Sequence, residues 1–217
     1  MRSPTKWFEP AVAVLGLVIG AGETTRADLI LDQSYSQGDY AASYVGGFAQ
    51  TFTVGLNGEL GQVDIGVQTL SNATLDIVRT SAAGIPSNDP SAVLASVSLP
   101  TVALSGTPYL PTWVSIDLSA YDIQVNAGEL LALTLQGGEV WFAGFSNHVP
   151  IYSGGSAFWT LADGSWATFG TPTDGAATFF FATYVETPEP STLVLACIAA
   201  LMGLGYAWRR RKAKRAA

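Results

Sequence analysis

In several segments between residues 28 and 186, hydrophobic residues recur at every second position. In one such segment Val114 and Ile116 occupy alternate positions, and Trp113, Ser115 and Asp117 occupy the positions between them. This period of two is typical of a β-strand with one side buried and the other in water. The same alternation predicts strands at residues 62–68, 74–78 and 113–118, and further predicted strands are residues 29–34, 47–54, 93–99, 129–136, 140–145, 157–161, 165–169 and 177–185.

Turn-forming residues separate these segments, and no ten-residue window has the periodicity of an amphipathic helix. Asn57-Gly58, Gln136-Gly137-Gly138 and Asp163-Gly164 are predicted turns. The pattern therefore predicts an all-β body of 159 residues, an antiparallel β-sandwich or jelly-roll-like fold. Two longer loops, at residues 80–92 and 146–156, are the places where a binding surface is expected.

The first 27 residues have the layout of a secretory signal peptide. Arg2 and Lys6 precede a short apolar run at residues 11–22, and small residues follow it. We expect export through the Sec machinery and cleavage after Ala27. An uncleaved membrane anchor is the alternative, but twelve apolar or Gly residues are short for a bilayer core of about 30 Å.

Residues 191–208 form an uncharged apolar run that is followed by a basic cluster. As a helix the run spans about 27 Å, at about 1.5 Å per residue, which is sufficient for one transmembrane helix. The basic tail at residues 209–215 predicts a cytoplasmic end and an external body. The residues that stop and orient the helix are Arg209, Arg210, Arg211 and Lys212.

The tripeptide Pro188-Glu189-Pro190 precedes this run. Together, the tripeptide, the apolar segment and the Arg-rich cluster resemble the C-terminal signal of PEP-CTERM proteins, bacterial exports handled by exosortase. The resemblance implies a bacterium that makes exopolysaccharide. It also implies a membrane enzyme that recognises the tripeptide and removes the helix and tail. The chain is then divided into a signal peptide (1–27), an ectodomain (28–186) and a sorting signal (187–217).

Charge is distributed unevenly along the chain. Nine of its ten basic residues lie outside residues 28–186, where Arg79 is the one basic residue beside fourteen Asp and Glu, a net charge of −13. A nucleic-acid partner is excluded, because displacing the counterions of phosphates requires several Lys or Arg. The single cysteine, Cys197, lies in the apolar run, so no disulfide is expected in the body.

Catalytic and metal-binding patterns are weak. His148 is the only histidine, and Ser146 beside it lacks the elbow motif of a hydrolase. One histidine and no cysteine in the body cannot form a usual zinc site, and no calcium-loop motif occurs. We therefore expect no metal, no cofactor and no enzymatic activity. We keep a glycoside hydrolase as a further hypothesis for the function. A glycoside hydrolase would need two facing carboxylates, and the candidates are Asp117, Asp122, Glu129 and Glu139.

Twelve aromatic side chains fall between residues 141 and 184. Adjacent rings in a strand point to opposite sides, so some of these rings must face outward or fill a second layer. Candidates for stacking on a glycan are Trp141, Tyr152, Trp159 and Trp166, and the alternative is that these rings fill the core.

Export signals around a body without catalytic groups predict a structural or adhesive protein. We expect an intermediate at the inner membrane, held transiently by residues 191–208, and then a location at the cell surface or in an extracellular polysaccharide matrix. A carbohydrate-binding module that takes neutral polysaccharide is the alternative function.

Overall fold

The computed structural model describes residues 28–38, 40–43, 46–103, 110–171, 173, 175–187 and 200–203. The predicted signal peptide, the tripeptide at 188–190 and the basic cluster lie outside these residues, as does most of the predicted transmembrane helix. Within the described residues, the helical segments are residues 200–203 and two 3-10 turns, Pro90–Ala92 and Ser119–Tyr121. None of them is long and apolar enough to span a bilayer.

The described body is all-β, and each of its strand pairings is antiparallel. Every predicted strand overlaps an observed one, and the predicted strand 177–185 corresponds to parts of two observed strands. The strands are Leu29–Tyr35 (β1), Tyr40–Ser43 (β2), Phe48–Thr53 (β3), Gly58–Arg79 (β4), Val93–Ser98 (β5), Thr112–Asp117 (β6), Gln124–Val125 (β7), Leu130–Phe145 (β8), Ala157–Thr160 (β9), Trp166–Thr168 (β10), Gly170–Thr171 (β11), Gly175–Phe179 (β12) and Phe181–Glu186 (β13).

Two long strands, β4 and β8, organise the sheet. The first part of β4 pairs with β13 on one side and with β6 and β7 on the other. The second part of β4 pairs with β8 and β5. On its other side β8 pairs with β3, which in turn pairs with β9. We call β1, β13, the first part of β4, β6 and β7 the first half of the sheet. The remaining strands, with the second part of β4, form the second half.

The sheet curls so that its two halves face each other. Strands β3 and β13 are separated by β4 and β8 in the strand order, and three strand spacings of a flat sheet cover about 14 Å. Yet the rings of Phe52 on β3 and Phe181 on β13 have centroids 6.1 Å apart. Both rings are fully buried, so the concave side of the curl contains the core. The all-β class is confirmed in this form, a curled antiparallel sheet.

The turn predicted at Gln136-Gly137-Gly138 is wrong, because these residues lie inside β8. Opposite them, Asn72 and Ala73 of β4 are inserted between the pairs Ser71–Gly138 and Thr74–Gln136. Gly137 has a φ of +126° and Asn72 a φ of 51°, conformations that suit a β-bulge. A Cβ on Gly137 would lie 2.7 Å from the Ala73 Cα. The bulge bends two long strands where separate shorter strands were expected.

Candidate functional site

Trp141, predicted to stack on a glycan, is a core residue. Its side chain is 0% exposed. The ring stacks on Phe179 at 4.6 Å between centroids and 16° between planes, and its Nε1 donates a hydrogen bond of 2.8 Å to the Phe180 carbonyl. The glycan-stacking assignment is therefore wrong for Trp141, because this position on β8 points to the concave side of the sheet.

Tyr152 and Trp159 are half-buried at the margin of the same core. Tyr152 packs edge-on against Phe181, with centroids 5.3 Å apart. Its hydroxyl donates to Gln33 Oε1 at 2.9 Å, and burial raises the pKa of this phenol. Trp159 packs against Phe169 at 6.1 Å. Both rings are thus engaged with neighbours on the inner side.

Trp166, unlike Trp141, lies at an open part of the surface. Two clefts, of about 510 and 590 Å³, meet at this half-buried ring. The loop at 80–92 forms the other wall of both clefts. Asn88 Nδ2 attaches this loop to the β9–β10 hairpin by donating a hydrogen bond of 3.0 Å to the Gly164 carbonyl. Trp159 and Trp166 occupy opposite sides of this hairpin, because Trp159 pairs with Ala167. The four predicted rings therefore do not form one exposed row.

The acidic residues considered for hydrolysis are bonded locally. Asp117 accepts a hydrogen bond of 2.7 Å from the Ser119 hydroxyl, and Asp122 accepts one of 2.7 Å from Gln124 Nε2. Glu129 accepts a bond from a backbone amide three residues away. Among the described residues, neither of the two clefts at Trp166 has a carboxylate in its wall. Glu139 lies within β8 and pairs with Leu70.

Ser146 and His148 occupy the turn after β8. The Ser146 hydroxyl accepts a bond of 3.1 Å from the Ala176 amide, and the His148 amide donates to the Phe145 carbonyl at 2.9 Å. Among the described residues, no three histidine or acidic side chains are grouped as metal ligands would be.

A second aromatic cluster lies on the outer side of the sheet. Phe179 and Phe181 point into the core, so the intervening Phe180 points outward, and it is only 3% exposed. Tyr35 and Phe142 cover the Phe180 ring, with centroids 5.9 and 5.8 Å away. The expectation of a second layer is thus met by Phe180.

Trp113 forms the solvent end of this outer cluster. Its ring lies nearly parallel to Phe180, at 18° and 6.2 Å, while 43% of its surface is exposed. Trp113 pairs with Gly66 across the β4–β6 ladder. A Cβ at Gly66 would lie 2.8 Å from the Phe180 Cβ, so glycine is needed for Phe180 to pack beside Trp113.

Next to Trp113, polar side chains lie on the outer side of the first half of the sheet. Asp64 pairs with Ser115, and Gln62 pairs with Tyr184. The Asp64 carboxylate accepts a hydrogen bond of 2.8 Å from Gln62 Nε2 and one of 3.0 Å from the Tyr184 hydroxyl. Burial, and secondarily the Asp64 carboxylate, raise the pKa of Tyr184. We call Trp113, Ser115, Asp64, Gln62 and Tyr184 the Trp113 face.

Trp113 was not among the predicted binding residues, although the sequence contains a signal for it. The alternation in residues 113–118 places Val114 and Ile116 inside and Trp113 on the side that faces water. A tryptophan on the polar side of a strand has a large apolar ring in contact with solvent, which is a stronger indication of binding than aromatic density along the chain.

Comparison with known families supports the sorting segment. The family model described as the PEP-CTERM protein-sorting motif matches residues 186–212. The chain is therefore a secreted β protein that is sorted through a C-terminal signal. That signal is a PEP-CTERM motif, which confirms the resemblance found in the sequence and implies processing by an exosortase. No curated protein and no solved structure matches the chain.

Proposed function

We propose that this protein has a structural or adhesive role at the cell surface or in an exopolysaccharide matrix. The observation that carries the proposal is the position of the sorting motif. Its match begins at residue 186, the last residue of β13, so the all-β body is what the signal delivers. In this proposal the curled sheet acts as a sandwich-type or jelly-roll-like module.

Processing follows from the same assignment. Pro188, Glu189 and Pro190 are recognised by the exosortase after export through the Sec machinery. The apolar segment at 191–208 holds the chain transiently in the inner membrane, and the basic cluster at 209–212 keeps its end in the cytoplasm. Removal of this segment leaves the body outside the cell.

The sorting experiment compares the native chain with a variant in which Pro188, Glu189 and Pro190 are each changed to Ala. The native protein is expected to be shortened and external, and the variant full-length in the inner membrane. Thr187→Val, which leaves the tripeptide intact, is the matched control and is expected to be processed. Equal sizes and equal fractionation of the native chain and the triple variant would contradict the proposal.

We also propose that the body is a binding module and not a hydrolase. The exposed indole of Trp113 beside hydrogen-bonding side chains favours carbohydrate binding as the second candidate function. A glycan array probed with the processed protein tests this candidate. Release of reducing sugar from a bound glycan would instead favour the glycoside hydrolase hypothesis.

A further inference from the structure

We propose that the Trp113 face binds a neutral polysaccharide by stacking one sugar ring on the indole of Trp113. This inference rests on the proposed function, delivery to a polysaccharide matrix. It adds the site and the chemical class of the ligand.

The orientation of the indole is set by the protein. The nearly parallel Phe180 ring lies on one side of Trp113, and Phe180 is itself held by Tyr35 and Phe142. The exposed part of the indole therefore presents a flat apolar surface. A ring that is already positioned loses little conformational freedom on binding. A pyranose has a flat side of C–H groups that suits such a surface.

Hydrogen-bonding side chains lie near Trp113 on the same side of the sheet. Asp64 is the diagonal neighbour of Trp113 across the ladder, a relation that corresponds to about 7–8 Å between side-chain positions. Gly66 lies directly opposite Trp113. Because Gly66 has no side chain, it does not separate the indole from Asp64. A carboxylate has about four acceptor sites, and Gln62 and Tyr184 use two at Asp64. The remaining sites of Asp64 and the exposed Ser115 hydroxyl are available to a bound sugar.

Charge decides between neutral and acidic ligands. Arg79 is the one basic residue in residues 28–186, and it lies at the far end of β4 from Gln62 and Asp64. The Trp113 face itself includes a carboxylate, so an acidic polymer would be repelled. Two copies of a body at −13 repel each other as well. The Trp113 face has an aromatic ring and hydrogen-bond acceptors but no basic side chain. A neutral glycan is the ligand that matches this combination.

The test measures binding of neutral glucans, galactans and mannans, with an acidic uronic-acid polymer as comparison, by affinity electrophoresis and calorimetry. The protein is the full chain in a detergent without a sugar headgroup, which would compete. Trp113→Ala is expected to weaken binding of the neutral glycan at least tenfold. Trp113→Phe, which retains a ring, is expected to lie between Trp113→Ala and the native protein.

Two control variants separate this site from others. Trp166→Ala removes the ring at the clefts and is expected to change the affinity less than twofold. Tyr184→Phe removes one bond to Asp64 and is expected to weaken binding by a smaller factor than Trp113→Ala. Circular dichroism shows whether each variant is folded.

Three results would overturn the inference. They are equal binding by native and Trp113→Ala proteins, loss of binding in Trp166→Ala alone, and no binding of the native protein to any neutral glycan. If the first of these results is accompanied by a change in the sedimentation of the Trp113→Ala protein, it favours self-association through the Trp113 face. Normal processing of Trp113→Ala in the sorting experiment keeps these outcomes distinct from failure of the proposed function.

Discussion

Trp113 and Trp141 are the same residue type in opposite environments. Trp141 is on the concave side of the sheet, stacked on Phe179 and bonded through Nε1. Trp113 is at the solvent end of the outer cluster, with only Phe180 as a ring neighbour among the described residues. Burial, and not residue type, determines whether an indole stabilises the fold or is available to a ligand.

The stability of the protein should therefore respond differently to the same truncation. Trp141→Ala is expected to lower the free energy of unfolding by about 3–5 kcal/mol, because it leaves a cavity in a fully packed core. Trp113→Ala should cost less than about 2 kcal/mol, since much of the ring is already in water. Urea unfolding followed by circular dichroism measures both. Equal losses would show that Trp113 is as much a core residue as Trp141.

At the level of elements, two phenols fasten the 146–156 loop to β1. The Tyr35 hydroxyl donates to the Pro150 carbonyl at 3.1 Å, and the Tyr152 hydroxyl donates to Gln33 Oε1 at 2.9 Å. Burial raises the pKa of both Tyr35 and Tyr152 above the ordinary value of 10.0. The folded state therefore holds these protons more tightly than the unfolded chain does.

A pH dependence follows with a definite sign. The stabilisation linked to these protons is complete below pH 10 and is lost as the pH rises through the raised pKa values of Tyr35 and Tyr152. The double variant Tyr35→Phe/Tyr152→Phe is expected to have a lower urea midpoint at pH 8 but a smaller fall at higher pH. Tyr121→Phe, whose exposed phenol donates to the Ser96 carbonyl, is the control. Parallel falls in the native and double-variant proteins would contradict this expectation.

For the whole molecule, the charge of the body governs its contacts with polymers. One arginine beside fourteen acidic residues leaves few sites for a polyanion. Screening shortens the repulsive field to about 10 Å at 0.1 M salt. Any attachment to an acidic polysaccharide should therefore depend on divalent cations that bridge the two, whereas binding to a neutral one should not.

Retention of the processed protein on neutral and acidic polysaccharide columns measures this difference. Chelator is expected to abolish retention on the acidic column and to leave retention on the neutral column unchanged. Tight binding to the acidic polymer in the presence of chelator would show that the charge of the body does not control its partners.

The sequence by itself determined the features that depend on near neighbours in the chain. Alternation with a period of two placed the strands, since successive side chains of a strand point to opposite sides wherever the strand is found. The sorting motif could be read because recognition of Pro188, Glu189 and Pro190 and of the segments after them depends on their order. The water-facing side of Trp113 was implicit in the same alternation.

Only the tertiary structure decided which sides are covered. Alternation shows that the Phe180 side chain points to the opposite side of the sheet from Phe179 and Phe181. Whether Phe180 is in contact with water depends on Tyr35 and Phe142, which come from distant strands. The bulge at Gly137 likewise depends on pairing with β4. Trp141 is buried because the curl brings residues far apart in the chain to one concave side. Such contacts are set by packing of the whole sheet, which no local pattern specifies.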